Sequence, residues 1–387
     1  MNNIFKLIFV QFGLKGFSAL YSVVVFVYGI SLLSIEKYGE VMVNVASFAL
    51  FARVVAWGFD YRVKDFISQY SIKLVDVVVS KLILACIASI GLVSLLMINE
   101  MEEYVIVSIL GIVFYAFESM AYHQAKEIQG KALVPVLLGM LFALLSLILL
   151  AAMDEVTVVL YFGICVLGPL LGWVYISISG VLKERFFPSY ISFVVIIKSG
   201  FQMFTVIQIG GLYTSVLPIL VGSQSLAYVA MYSILLRVSN FAKSFGLVVN
   251  QVFFYNSLIK SDRLNFTIAL LGSVFLAVVA GLMIFKFFDE KVSPVFSSEL
   301  VFITWVVLFV AVGSIANFLI VKVFFSTMQY LKYRNIAFYI ISIPLLSYWL
   351  IGLSPEYVLL FHVGIELSLI IFAIYYHKSG RCKNGTG

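Results

Sequence analysis

Polar positions cut the 387-residue chain into twelve apolar runs. They fall near 4–32, 38–59, 75–98, 103–123, 132–152, 156–181, 190–221, 225–256, 264–287, 300–324, 335–353 and 357–377. A helix needs about 20 apolar residues to cross the hydrocarbon layer, and the runs match that length. Barrel strands would alternate apolar and polar positions over about 10 residues, and these runs do not. Backbone polar groups inside lipid must be satisfied within their own segment, so the pattern predicts helices. The first run is longer than a signal-peptide core and lacks a cleavage site, so it reads as a retained span.

Composition narrows the class. The chain is 63% hydrophobic and 11% charged, against about 45–50% and about 25% in soluble domains. A globular interior cannot hide that much apolar side chain. A cytosolic enzyme, a secreted disulfide domain and a disordered chain are thereby excluded, and an all-α integral membrane protein is expected. Cys86, Cys165 and Cys382 form no disulfide framework or metal spacing, and His123, His362 and His377 are scattered. No P-loop, nucleotide, flavin or metal motif is present, so no cofactor and no enzymatic activity are expected. No Pro, Gly or Ser-rich linker separates soluble domains.

Charge sets the expected orientation. With the N and C termini cytoplasmic, inner segments hold 16 of the 25 Lys and Arg residues, and outer loops hold only Lys37, Lys286 and Lys291. That is a strong positive-inside bias. Glu100, Glu102, Glu103, Asp154, Glu155, Asp289 and Glu290 fall on the outer side.

Six cations remain inside predicted spans: Lys15, Arg53, Lys81, Lys198, Arg237 and Lys243. A cation at mid-bilayer costs about 2.5–3.5 kcal/mol on insertion scales. Apart from Glu40, Asp76 and Glu103 at span ends, only Glu118 and Glu366 lie within spans to offset them, so the others should face water or an anionic ligand. Gln11, Lys15 and Ser18 share one face of the first span. Ser233, Arg237, Asn240 and Ser244 share one face of the eighth, with Lys243 at its edge, and Lys198, Gln202 and Thr205 share one face of the seventh. Such stripes suit a hydrated cavity that binds substrate. The long stems of Lys81 and Lys198 also permit snorkelling to the headgroups, and Arg53 can be read as an anchor. Glu118 pairs naturally with a neighbour such as Lys81, or carries a coupling proton. Gly210, Gly211 and Pro218 interrupt the seventh span and suit either a hinge or close helix packing.

A weak internal repeat supports a central cavity. A shift of 190 residues aligns Tyr38 with Tyr228 and Phe51-Ala52-Arg53 with Phe241-Ala242-Lys243. Repeat-related halves around a central site are a common transporter plan.

Two stretches carry a family resemblance. From Ser34, SIEKYGEVMVNVASFALFARVVAWGFDYRVKDFIS has a Tyr-Gly, an apolar helix, a Gly and a basic segment. From Val221, VGSQSLAYVAMYSILLRVSNFAKSFGLVVNQVFF looks like the start of a second bundle. Together they resemble the Wzx-type O-antigen and polysaccharide repeat-unit flippases. These form a polysaccharide branch of the multidrug/oligosaccharidyl-lipid/polysaccharide exporter superfamily. The first loop departs from that pattern, with Ser-Ile-Glu-Lys where Leu-Gly is frequent. A proline common near the inner end of the eighth span is also absent.

The resemblance implies 12 transmembrane helices in two six-helix bundles around a central cavity, with spans 1, 2, 7 and 8 facing it. The implied division is 1–185, 186–378 and a short basic cytoplasmic tail at 379–387. It implies a flippase of the bacterial cytoplasmic (inner) membrane in O-antigen, lipopolysaccharide, capsular or exopolysaccharide biosynthesis. Its cargo would be a polyprenyl-pyrophosphate-linked oligosaccharide, with a polysaccharide polymerase as a further partner and no nucleic acid. Three other readings compete: a drug or metabolite antiporter of the same superfamily, a polysaccharide polymerase, and a scaffold without transport. The antiporter calls for intramembrane acids, and the polymerase for a large catalytic outer loop.

Overall fold

The computed structural model describes residues 16–59, 67–126, 130–153, 156–183, 190–256, 262–292, 298–320, 330–351 and 357–383. These residues build a helical protein. The helices are α1 (Phe17–Leu32), α2 (Ile35–Ala56), α3 (Leu74–Ile98), α4 (Val105–Ala116), α5 (Met120–Ala125), α6 (Gly130–Ala152) and α7 (Val158–Lys183). They continue with α8 (Tyr190–Gly222), α9 (Leu226–Asn256), α10 (Asp262–Val292), α11 (Glu299–Ile320), α12 (Tyr330–Ile351) and α13 (Val358–Lys383). Eight stretches of described residues are long and apolar enough to cross a membrane. The chain is a multi-pass membrane protein.

Helix faces show why. On α6, Val134, Leu138, Phe142, Leu145 and Leu149 are exposed, while Ala132, Val136, Met140, Ala143 and Leu147 are buried. Both faces are apolar and both repeat at helical spacing. Water would reject the outer set, whereas lipid solvates it. The inner set packs on α7 through a backbone-close crossing. A Cβ added at Gly139 would lie 2.8 Å from the Gly172 nitrogen, and one at Gly172 would meet Pro135 and Val136. Small residues at crossings are the usual means of helix association in lipid.

The fourth predicted span departs from a continuous helix. α4 ends at Ala116, the chain turns through Phe117–Ser119, and α5 follows. Carbonyls freed by the break are satisfied internally. Lys81 Nζ donates to the Glu118 carbonyl at 2.7 Å, and Ser177 Oγ donates to the Phe117 carbonyl at 2.6 Å. The sequence pattern missed the break because the interrupting residues sit inside an otherwise apolar run.

The centre is formed by α2, α8 and α9, with α1 against α9. Near its N-terminus, α2 is buried almost all round, from Tyr38 through Phe48. The same holds for α9 from Val229 to Leu235, and Tyr213, Leu217 and Val221 of α8 are buried beside them. These ends converge so tightly that Gly39 sits against the Leu226 carbonyl and Gly222 against Val43. The opposite ends are looser. Tyr190, Val194 and Phe201 of α8 are exposed, as is Asn240 of α9. The central helices are thus closed at one end and more open at the other.

Candidate functional site

Charged and polar side chains meet inside the apolar core where α8, α9, α11 and α13 pack. Glu366 of α13 is the focus. Its Oε1 accepts from Tyr213 Oη at 3.1 Å and lies 3.6 Å from Lys243 Nζ and 3.5 Å from His362 Nε2. Tyr232 Oη is 2.8 Å from His362 Nδ1. The His362 ring stacks on Phe309 with centroids 4.3 Å apart. His362 and Glu366 stand four residues apart on α13, which places both on one face. Lys243 reaches Glu366 over Gly313, where a Cβ would displace its ammonium end.

The network continues toward α2. Tyr213 turns to Glu366, and its neighbour Thr214 accepts a hydrogen bond from Arg53 Nη2 at 3.0 Å. Arg53 therefore bridges α2 to α8. Helical side chains lean toward the helix N-terminus, so this guanidinium is directed into the protein rather than toward the nearer helix end. Trp57 reinforces the same junction, donating to the Ile197 carbonyl at 2.9 Å and stacking on Phe204.

Arg237 of α9 lies within electrostatic range of Tyr38 on α2 and of Tyr161 and Cys165 on α7. Tyr161 is anchored, its Oη donating to the Val25 carbonyl at 2.6 Å, and nearby Tyr21 Oη donates to the Ile164 carbonyl at 2.9 Å. Along the face Ser233–Arg237–Asn240, burial falls steadily. Ser233 is buried, Arg237 partly buried and Asn240 exposed. This stripe opens toward the C-terminal part of α9.

Lys81 stands apart. It is 2% exposed and lies 3.4 Å from Glu118 Oε2, with the rings of Phe59 and Tyr115 about 6 Å from its ammonium. Snorkelling is therefore excluded for Lys81. The pair is a structural clamp on the break after α4.

The other expected site residues divide as follows. Gln11 and Lys15 lie outside the described residues. Ser18 is partly buried on α1. Lys198 is exposed, on a stripe with Tyr190, Val194 and Phe201, away from Glu366. Gln202 falls on α8, with its side chain outside the described set. α8 stays helical through Gly210 and Gly211, and Pro218 is buried within it. Lys81 takes the Glu118 partner expected as one of its readings, and Lys243, expected on the edge of a cavity face, lies beside Glu366. Sequence reading left His362, Tyr213 and Tyr232 unassigned. The available signal was an intramembrane His and Glu one helical turn apart. A separate cavity of about 460 Å³ lies near the α1–α2 turn, lined by Leu33, Lys37, Glu103 and Thr157 among others. Among the described residues, no cluster of three or more His, Cys, Asp or Glu could hold a metal.

No protein-family model and no curated protein matches the chain. A solved structure does: "Inward-facing conformation of a multidrug resistance MATE family transporter of the MOP superfamily". It aligns with TM-score 0.53 and 13% identity over 98% of this chain and 100% of the other. A second, "Crystal structure of MATE in complex with MaL6", aligns with TM-score 0.45 and 14% identity over 98% and 95% of the two chains. The chain has the fold of the first of these.

Proposed function

We propose that the protein is a flippase of this superfamily. It would carry a polyprenyl-pyrophosphate-linked oligosaccharide from the inner to the outer leaflet of a bacterial cytoplasmic membrane. One observation carries the reading: Arg53 of α2 and Arg237 and Lys243 of α9, all partly buried, project toward neighbouring helices. Partly buried cations between helices suit an anionic cargo. A pyrophosphate and several sugars cannot enter hydrocarbon unaided. Lys and Arg bind phosphate through charge-assisted hydrogen bonds, which strengthen where water is scarce. Ser18, Asn240, Gln202 and the junction tyrosines would take sugar hydroxyls, while the prenyl tail stays in the bilayer.

Alternating access supplies the movement. The two halves, 1–185 and 186–378, would rock about Gly210, Gly211 and Pro218. The closed end of α2 and α9 then faces outward and the open end, near the cytoplasmic cations, receives cargo. Lys15 and Gln11, outside the described residues, are proposed from their spacing in the first predicted span to serve the same cargo. Lys198, on its exposed stripe, would meet the head at the entrance.

A drug or metabolite antiporter is the second reading. The aligned structure is described as a multidrug resistance transporter, and Glu366 lies among Tyr213, Tyr232, Phe309 and His362. An aromatic-lined carboxylate suits an organic cation.

The deciding test uses proteoliposomes. The flippase reading expects outward movement of a prenyl-pyrophosphate-linked sugar, lost when Lys15, Arg237 and Lys243 are all changed to Gln. Uptake of ethidium without lipid-linked sugar movement would establish the antiporter instead. Intact flipping in the triple variant would remove the cationic site.

A further inference from the structure

The contact between Lys243 and Glu366 is loose and lopsided. At 3.6 Å it exceeds the roughly 2.8 Å of a well-made charged hydrogen bond. The Lys243 side chain is 17% exposed, whereas that of Glu366 is 7% exposed. An anion can thus approach the lysine without uncovering the carboxylate. Glu366 Oε1 also has Tyr213 and His362 beside it, so the carboxylate stays engaged when Lys243 turns away. Its Oε2 is buried and has no hydrogen-bond partner among the described residues. The lysine end lies against Gly313, in space that any larger side chain there would take.

We infer that Glu366 is an internal counter-anion that neutralises Lys243 in the empty carrier and surrenders it to the phosphate of the incoming head. This rests on the flippase reading and deepens it. The exchange has a physical basis. An isolated ammonium in the core is costly, so the empty protein needs a resident anion. A phosphate offers several oxygens and more charge than one carboxylate oxygen at 3.6 Å. Glu366 therefore competes with cargo, and removing its charge strengthens anion binding. A carboxylate that binds cargo directly, as in the antiporter reading, has the opposite sign.

The test is calorimetric binding of farnesyl pyrophosphate to the purified full-length protein, with farnesol as the uncharged control. The variants are Glu366→Gln, Lys243→Gln and the double variant, each first checked for an unchanged melting profile. Gly313→Ala, which crowds the lysine off Glu366, replaces any variant that fails the check. The inference expects Glu366→Gln to bind roughly tenfold more tightly. It expects Lys243→Gln to bind more weakly and the double variant to match Lys243→Gln. If wild type binds the pyrophosphate, but Glu366→Gln binds equally or more weakly, the counter-anion role is wrong and the flippase reading stands. If pyrophosphate binds no better than farnesol in wild type and in Glu366→Gln alike, the anionic-cargo reading itself fails. Equal tightening in Glu366→Gln and the double variant would also overturn the inference, because Glu366 would then act independently of Lys243.

Discussion

Replacing Gly39 by alanine tests whether the closed end of the central helices is a moving gate. A Cβ at this position falls on the backbone of Leu226, 2.6 Å from its carbonyl carbon and 3.1 Å from its Cα. Ordinary van der Waals contact begins at 3.4 Å, so the carbonyl carbon lies about 0.8 Å too close. The obstacle is main chain, which cannot rotate away as a side-chain tip can. α2 and α9 must therefore separate at this end. Overpacking of this kind costs about 1–3 kcal/mol. If a second conformation parts these ends, the substitution penalises only the closed one. The closed population then falls about 5- to 150-fold relative to the open one. The assay is electron–electron distance measurement between spin labels at Lys37→Cys and Gln224→Cys, with the native cysteines removed. Both positions are exposed, one on each side of the contact. Gly39→Ala should move weight from the short to the long distance peak and slow cargo movement. An unchanged distribution, with only a lowered melting temperature, would refute the gate and leave Gly39 as packing.

Other outcomes follow from the same geometry. Glu118→Gln strands Lys81 in the core and should lower stability by about 3 kcal/mol, read by thermal unfolding in detergent, while Lys81→Met in the same chain should recover most of the loss. Arg53→Gln should reduce flipping of lipid-linked sugar far more than Thr214→Val, because the hydroxyl only orients the guanidinium; equal losses would make the bridge purely structural. Gly172→Leu should abolish folded protein, seen as loss of the monodisperse peak in size-exclusion chromatography, since α6 cannot then approach α7.

Much of the architecture was legible because lipid imposes a simple rule on sequence. Apolar runs such as 132–152 and 156–181 become α6 and α7 with small boundary shifts. The central packing of the second and eighth runs was also legible, from Arg53 and Lys243 at matching positions of a weak repeat. The structure turns both side chains toward helix partners, Thr214 and Glu366. Which partners they take was not legible. Glu118 and Glu366 were the only carboxylates away from span ends, but four lysines and two arginines competed for them. Pairing depends on helix rotation and depth, which periodicity does not fix. His362 was left unassigned for a related reason: its one local signal, Glu366 a helical turn on, gains meaning only when Tyr232 and Phe309 converge on the pair. The break at Phe117–Ser119 was hidden because its stabilising donors, Lys81 and Ser177, come from other helices.

The Lys243–Glu366 pair has an electrical consequence. Moving one elementary charge through a 100 mV membrane potential involves about 2.3 kcal/mol. A lysine and a glutamate 3.6 Å apart form a dipole with no net charge, so any displacement they share does almost no work against the field. The unloaded return stroke is then insensitive to voltage at this position. On the flippase reading proposed above, a cytoplasm held negative would push an anionic head outward, so the loaded stroke alone would be accelerated. The voltage dependence of turnover in proteoliposomes becomes a direct measure of how many charges the cargo carries.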